Sequence, residues 1–198
     1  MTTLNTRLLA GALLCAPLTL PAQTERQLDA HVHGHGQLQV VLEDPVVAVG
    51  LNLPGMDVVG FEHAPQTDAQ QQAVADALAQ LEQADSLFAL SEAAGCSLAQ
   101  VETALIPMGM DDHDHDHEDD HADDHDHDHG DDHDHQASHT EFQAEYRYAC
   151  EDLAALEEIT LILFEQFPAL QSVEAQAVGP TGQTARTLTP DDAILSGF

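Results

Sequence analysis

Apolar and polar residues alternate in several short stretches of the chain, a pattern typical of half-buried β-strands. The first two stretches, 37–43 and 46–53, are separated by Asp44-Pro45, which is a turn signal, and they predict an antiparallel hairpin. The same alternation predicts a strand at 140–150, and further strands are predicted at 97–106, 172–178 and 183–188. The last two flank the turn sequence Gly-Pro-Thr-Gly and predict a second hairpin.

One longer segment has the spacing of an amphipathic helix. Residues 70–90 carry apolar side chains at steps of three and four, and Thr67 is placed to cap the helix N-terminus. Residues 153–167 are mostly apolar and fit either a strand or a helix; we favour a strand at 159–163 and a short helical turn before Pro168. Strands in sequential pairs with one long helix predict an α+β domain around an antiparallel sheet.

A segment without any apolar side chain longer than alanine lies between two of the predicted strands. Residues 111–135 are nine histidines, 14 carboxylates, one alanine and one glycine. Such a segment cannot bury enough apolar surface to offset a backbone ordering cost of about 1–2 kcal/mol per residue. We therefore predict a disordered loop over 111–139, inserted between paired strands at 97–106 and 140–150.

Charge narrows the range of partners. Asp and Glu number 36 against four Arg and no Lys, so that the formal net charge is −32. This charge disfavours nucleic acid and anionic membrane surfaces and favours cations.

The N-terminus has the features of a secretory signal peptide. Arg7 precedes an apolar run over 8–20, and the small residue Ala22 follows it. We predict cleavage after Ala22, which leaves residues 23–198 as a single exported domain with no membrane insertion.

Two cysteines remain after this cleavage, Cys96 and Cys150. In an oxidising compartment we favour a disulfide over free thiols or a metal site. The bridge would also hold together the two ends of the acidic loop, since residues 97–149 lie between the cysteines.

The loop offers imidazole nitrogen and carboxylate oxygen at high density, a donor set that suits zinc. Its candidate ligands are His113, His115, His117, His121, His125, His127, His129, His133, His135 and His139. We expect many interchangeable, individually weak sites, because each closure costs ordering entropy. Copper, nickel and cobalt remain open as alternatives, and the opposing interpretation is an acidic spacer that binds metal incidentally.

A second histidine cluster lies near the mature N-terminus. In an extended chain His31, His33 and His35 would project from one face and could form an ordered metal site. The alternative is a solvated N-terminal arm. His63, beside Glu62, is either a ligand or a structural histidine.

Motifs that would indicate catalysis do not occur. The sequence has no His-Glu-x-x-His spacing, no glycine-rich phosphate loop and no calcium-loop spacing of the EF-hand kind. We therefore predict a metal-binding protein that is not an enzyme.

Several short motifs resemble the ZrgA-like periplasmic zinc-binding proteins of Gram-negative bacteria. They are HVHGHG at 31–36, LPGMDVVGFEHAP at 53–65, YRYAC at 146–150 and FEQFP at 164–168, together with Cys96 and the His/Asp-rich insert. The resemblance implies a periplasmic location, zinc as the bound metal and His63 as a ligand or site-shaping residue. It also implies a role beside a zinc importer under zinc limitation, with the substrate-binding component of a zinc ABC importer as partner. The alternative function is a copper or nickel storage or resistance buffer without a transport partner.

Overall fold

The computed structural model of the protein describes residues 33–108 and 139–198, all of which fall within one compact unit, His31–Phe198. The predicted signal peptide, His31 and the loop histidines from His113 to His135 lie outside the described residues. Within the described ranges, no helix is both long enough and apolar enough to cross a membrane.

The described residues form nine strands and three α-helices. In chain order these are β1 (His35–Glu43), β2 (Val46–Pro54), α1 (Gly55–Val59), α2 (Asp68–Leu81), β3 (Phe88–Leu90), β4 (Ser97–Met108), β5 (His139–Ala149), β6 (Glu158–Leu161), α3 (Leu163–Gln166), β7 (Ser172–Gly179), β8 (Gly182–Leu188) and β9 (Ile194–Ser196). The strands form a six-stranded sheet in the order β4-β5-β2-β1-β7-β8 and a three-stranded sheet in the order β3-β6-β9. The fold is therefore mostly β-sheet with few helices.

The predicted hairpins are present. β1 pairs antiparallel with β2, β7 with β8, and β4 with β5. The last pair begins with Met108 opposite His139, so the two residues that flank segment 109–138 lie side by side. Cys96 and Cys150 form a disulfide at the opposite end of the same two strands, with an S–S distance of 2.02 Å. Both the strand pairing and the disulfide confirm predictions from the sequence.

The purely antiparallel sheet is a prediction that the structure corrects. β1 pairs parallel with β7, from His35 opposite Ser172 to Val41 opposite Val178, so the large sheet is mixed. Residue alternation shows which face of a strand is buried but not the direction of its neighbour, and the two strands lie far apart in sequence. The parallel pair is central to the candidate site, because it brings residues 171 and 172 beside the start of β1.

The long helix begins as predicted and ends earlier. Thr67 caps α2 through a capping box with Gln70, and the helix stops at Leu81 instead of continuing to residue 90. Residues 84–86 form a 3₁₀ turn and 88–90 form β3, which pairs with β6. The backbone carbonyl of Leu87 accepts hydrogen bonds from the N–H groups of Ile162 and Leu163. Tertiary pairing with β6 and α3 thus overrides the helical spacing of the side chains.

One hydrophobic core joins α2, the small sheet and the inner face of the large sheet. Tyr146 of β5 lies at its centre, fully buried, in edge-to-face contact with Phe88 of β3 at 5.3 Å between ring centroids. The Tyr146 hydroxyl donates to the carbonyl of Leu81 at 2.7 Å. The last turn of α2 is thereby fixed to β5.

Candidate metal site

Strand direction places the chemically interesting residues at one end of the large sheet. Because β1, β2 and β5 are successively antiparallel, the start of β1, the end of β2 and the start of β5 lie together. The parallel partner β7 adds its first residue, Ser172, opposite His35. α1 directly follows β2, so it too begins at this end. Met108 and His139, the two residues that flank segment 109–138, are paired at the same edge.

Glu62 joins two histidines that are distant in sequence. Its Oε1 lies 2.6 Å from His33 Nε2, and its Oε2 lies 2.6 Å from His139 Nδ1. The Glu62 side chain is only 14% exposed, whereas each histidine side chain is 56% exposed. A largely buried carboxylate therefore holds two accessible imidazoles, one from the turn before β1 and one from the start of β5.

The backbone around Gly34 forms a turn. Gly34 has φ of +83°, a conformation that glycine adopts without steric cost. The extended conformation expected from His31 to His35 is therefore interrupted at this residue, and His33 and His35 have different partners. His33 reaches Glu62, whereas His35 Nδ1 lies 2.7 Å from the Ser172 hydroxyl. The hydrogen bond to Ser172 leaves Nε2 as the His35 nitrogen that is open to other partners.

His63 follows Glu62 directly but is held differently. Its Nδ1 donates to the backbone carbonyl of Ala64 at 2.8 Å, and its ring stacks on Phe61 with centroids 5.2 Å apart. Since a carbonyl can only accept, Nδ1 carries the proton and Nε2 is the nitrogen that a metal could use. These contacts fix the ring next to Glu62 without joining it to His33 or His139.

Asp57 of α1 is a buried acid beside this cluster, with 7% of its surface exposed. Its Oδ2 accepts a hydrogen bond from the Gly34 N–H at 2.7 Å. Burial raises the pKa of Asp57 above its usual value, opposed first by the Gly34 hydrogen bond and then by His33. Nearby Glu62 raises this pKa further, and His35 lowers it. Asp57 is therefore electrostatically coupled to the three charged or chargeable side chains around it.

Two further polar residues at this end of the sheet are buried. Glu141, two residues after His139 and therefore on the same face of β5, is 4% exposed. Thr140 packs against Gly55, where an added Cβ would lie 2.6 Å from the threonine hydroxyl oxygen. Among the described residues that hydroxyl has no hydrogen-bond partner. The close approach requires glycine at the start of α1 and fixes α1 against the start of β5.

The donor chemistry fits zinc, although the described side chains are not arranged around one point. Two imidazoles and a carboxylate are a donor set found at zinc sites. Within residues 33–108 and 139–198, no three His, Cys, Asp or Glu side chains converge in a metal-holding arrangement. At Glu62, each of the two carboxylate oxygens instead contacts one imidazole, Oε1 that of His33 and Oε2 that of His139. A cation would replace these two contacts.

The structure brings together only some of the residues proposed from sequence. His33 and His139 share Glu62. His35 instead contacts Ser172, and His63 contacts the carbonyl of Ala64. Neither Glu62 nor Asp57 is among the ligands predicted from the sequence, where Glu62 stands only as the neighbour of His63. Both acids lie in the LPGMDVVGFEHAP segment, so an acid within a glycine-rich connection between predicted elements was the available signal.

Comparison with known proteins identifies the family of the chain. The family model described as ZrgA family zinc uptake protein matches residues 30–196. No curated protein matches the chain. The family match covers the two strands that flank the His/Asp-rich segment and both cysteines of the disulfide. It also covers His33, Glu62 and His139. The chain belongs to the ZrgA family of zinc uptake proteins.

Proposed function

We propose that the protein captures zinc and assists its import under zinc limitation, holding one ion at an ordered site built from His33, Glu62 and His139. The observation that carries the proposal is the bridging of both histidines by one largely buried carboxylate. The histidines come from segments 106 residues apart, and the fold places them on one carboxylate at an accessible edge. Membership of a zinc uptake family supports zinc as the cargo.

The ligand set explains how metal and protons compete for this site. Without metal, each Glu62 oxygen lies 2.6 Å from one imidazole nitrogen, and a zinc ion bound to the carboxylate and both rings would replace the proton at each coordinating nitrogen. Coordination at Zn–N distances near 2.0–2.1 Å requires small movements of two exposed rings around a fixed acid. His35 and His63 offer an Nε2 each from adjoining elements and are candidates for a further ligand.

The His/Asp-rich segment supplies the capture function in this proposal. Its ten histidines from His113 to His139 provide many weak sites, and the last of them is also a member of the ordered site. The strand residues on either side of segment 109–138, Met108 and His139, pair at the edge that carries Glu62. Zinc collected by the segment would thus be released close to the tighter site. The protein would then deliver it to the substrate-binding component of a zinc ABC importer in the periplasm.

The direct test is zinc titration of the full mature chain in competition with a chromophoric chelator. The wild type should show one tight zinc followed by several weaker ones. The double variant His33→Ala/His139→Ala should lose the tight phase and retain the weak phase. A matched control, His125→Ala/His127→Ala, removes two histidines from the loop and should keep the tight phase. A tight phase that survives in the first variant would refute the ordered site.

Regulation separates uptake from the alternative of a copper or nickel buffer. Induction of the protein by zinc starvation, together with preferential retention of zinc by the tight site, supports acquisition. Induction by excess copper or nickel, with tighter binding of those ions at neutral pH and equal supply, would contradict it. Affinity order alone favours copper, so the comparison requires buffered free-metal concentrations.

A further inference from the structure

We propose that Asp57 is a positioning residue for the candidate site: its carboxylate fixes the Gly34 peptide and so holds His33 where it meets Glu62. The inference rests on the proposed function, because it assigns a role to a residue that supports a zinc ligand without being one. It also explains why a buried acid occupies a five-residue helix beside the sheet edge.

Asp57 holds the amide group between His33 and Gly34. Its N–H donates to Asp57 Oδ2 at 2.7 Å within a buried environment. A hydrogen bond between an amide and a carboxylate is charge-assisted, and it is stronger and more directional than a bond between neutral groups. This contact sets the plane of the peptide that carries His33.

The next peptide group, between Gly34 and His35, is also held in place. The Gly34 carbonyl accepts hydrogen bonds from the N–H of Gln171 at 2.8 Å and from the N–H of Ser172 at 2.9 Å. Two successive peptide planes are thus fixed, one by α1 and one by the segment that starts β7. A Cβ at Gly34 would lie 2.8 Å from the Gln171 side chain, which would have to shift to admit it.

The exposed His33 side chain is the part of the proposed site that needs a rigid support. His33 is exposed and long enough to sample many orientations, yet its Nε2 lies 2.6 Å from Glu62. Holding its backbone removes most of the ordering cost that a flexible N-terminal arm would incur on binding zinc. Asp57, by contrast, is 7% exposed and directs Oδ2 at the backbone, which suits a supporting residue better than a ligand.

The experiment compares Asp57→Asn and Asp57→Ala in the full chain, with Asp76→Asn as a matched control. Asp76 is an exposed acid on α2 that accepts a hydrogen bond from Gln72. Tight zinc affinity is measured by chelator competition at substoichiometric zinc. Hydrogen exchange of the Gly34 amide is measured on the metal-free protein.

Asp57→Ala should weaken tight zinc binding about 10–100-fold, the range typical for loss of a residue that orients a metal ligand. The Gly34 amide should exchange faster in the same variant. Asp57→Asn keeps an acceptor oxygen, so its affinity should stay within about fivefold of the wild type and its Gly34 amide should stay protected. Asp76→Asn should change neither quantity. If Asp57→Ala does not fold, Asp57→Leu, which has a similar shape and no acceptor oxygen, takes its place with the same expected loss of affinity and of Gly34 protection.

The inference fails if affinity and Gly34 protection do not change together. Weak binding in Asp57→Asn with a protected Gly34 amide would make Asp57 a ligand. Faster exchange in Asp57→Ala with unchanged affinity would make it a purely structural residue. Failure of the proposed function looks different, because His33→Ala would then leave tight zinc binding intact in an otherwise wild-type chain.

Discussion

Glu62 Oε2 and His139 Nδ1 lie 2.6 Å apart although 77 residues separate them in the chain. The contact connects the segment after α1 with the first residue of β5, where the His/Asp-rich segment returns to the sheet. An ion held between these residues would cross-link the returning end of that segment to the body. The acid in this pair is therefore the residue whose loss should matter most.

Replacing Glu62 with glutamine should weaken tight zinc binding by about tenfold or more, because a neutral amide lacks the charge that balances the cation. Chelator competition on the full chain measures the change. Glu102→Gln removes an exposed acid from β4 and serves as the control for charge. Equal affinity in the two variants would remove Glu62 from the site.

His33 and His139 should be thermodynamically coupled through the metal. In a double-mutant cycle, each single alanine variant should lose most of the tight binding, and the double variant should lose little more. Additive losses in the free energy of zinc binding would mean that the histidines bind separate ions. Urea unfolding of the same four proteins in the absence of zinc gives the part of the coupling free energy that does not depend on metal.

Deleting residues 111–135 should lower the number of bound zinc ions and leave one tight ion in place. The ordered site uses none of the deleted residues, and the strand pair that carries the loop is closed by Cys96–Cys150 at its other end. Equilibrium dialysis at a series of free zinc concentrations measures both quantities. Loss of the tight ion on deletion would show that loop histidines complete the site.

Replacing both Cys96 and Cys150 with serine should lower the free energy of unfolding by about 4 kcal/mol in the chain-entropy model for a loop of this length. Tight zinc affinity should change little in the folded variant, because the bridge lies at the end of β4 and β5 away from Glu62. Denaturant unfolding and chelator competition provide the two readouts. A large loss of affinity without unfolding would contradict this separation.

The two buried tyrosines of β5, Tyr146 and Tyr148, allow the effects of two hydroxyl groups on the free energy of unfolding to be compared. Burial raises the pKa of both Tyr146 and Tyr148 above the ordinary value. Their contribution to stability is therefore complete below about pH 10 and falls as the pH rises further, when the unfolded chain loses phenolic protons first. Phenylalanine at either position should make the alkaline loss of stability shallower.

At neutral pH the same two substitutions should diverge. Tyr146→Phe leaves the Leu81 carbonyl without its 2.7 Å donor and should cost about 1–2 kcal/mol. The Tyr148 hydroxyl is buried without a hydrogen-bond partner among the described residues, so Tyr148→Phe should be neutral or stabilising. Urea unfolding at pH 7 compares them, and equal destabilisation would contradict the difference in hydrogen bonding.

Local pattern predicted much of the fold. Alternation located the hairpins β1–β2, β4–β5 and β7–β8, and Thr67 marked the start of α2. The errors occur where a distant partner decides the structure. Leu87 and Phe88 continue the helical spacing, yet pairing with β6 makes 88–90 a strand. The parallel contact of β1 with β7 likewise depends on residues more than a hundred positions away.

The candidate site was only partly accessible from sequence for the same reason. Histidine spacing suggested His33 and His35 as partners on one face, but the Gly34 turn gives them different neighbours. Glu62 stood next to His63 in the sequence, and its contacts instead reach His33 and His139. Which residues share a carboxylate depends on strand order, and strand order is not encoded in any single segment.

The parallel pairing of β1 with β7 also sets the order in which metal can be held during folding. The Gly34 turn that carries His33 is complete only when Gln171 and Ser172 have also docked on it, and contacts between residues so far apart in sequence carry a high loop-closure cost. The proposed sites on the loop histidines need no such contact, so they could bind zinc in a chain that is still unfolded. Occupancy of the ordered site would therefore report a completely folded molecule, whereas occupancy of the loop would not.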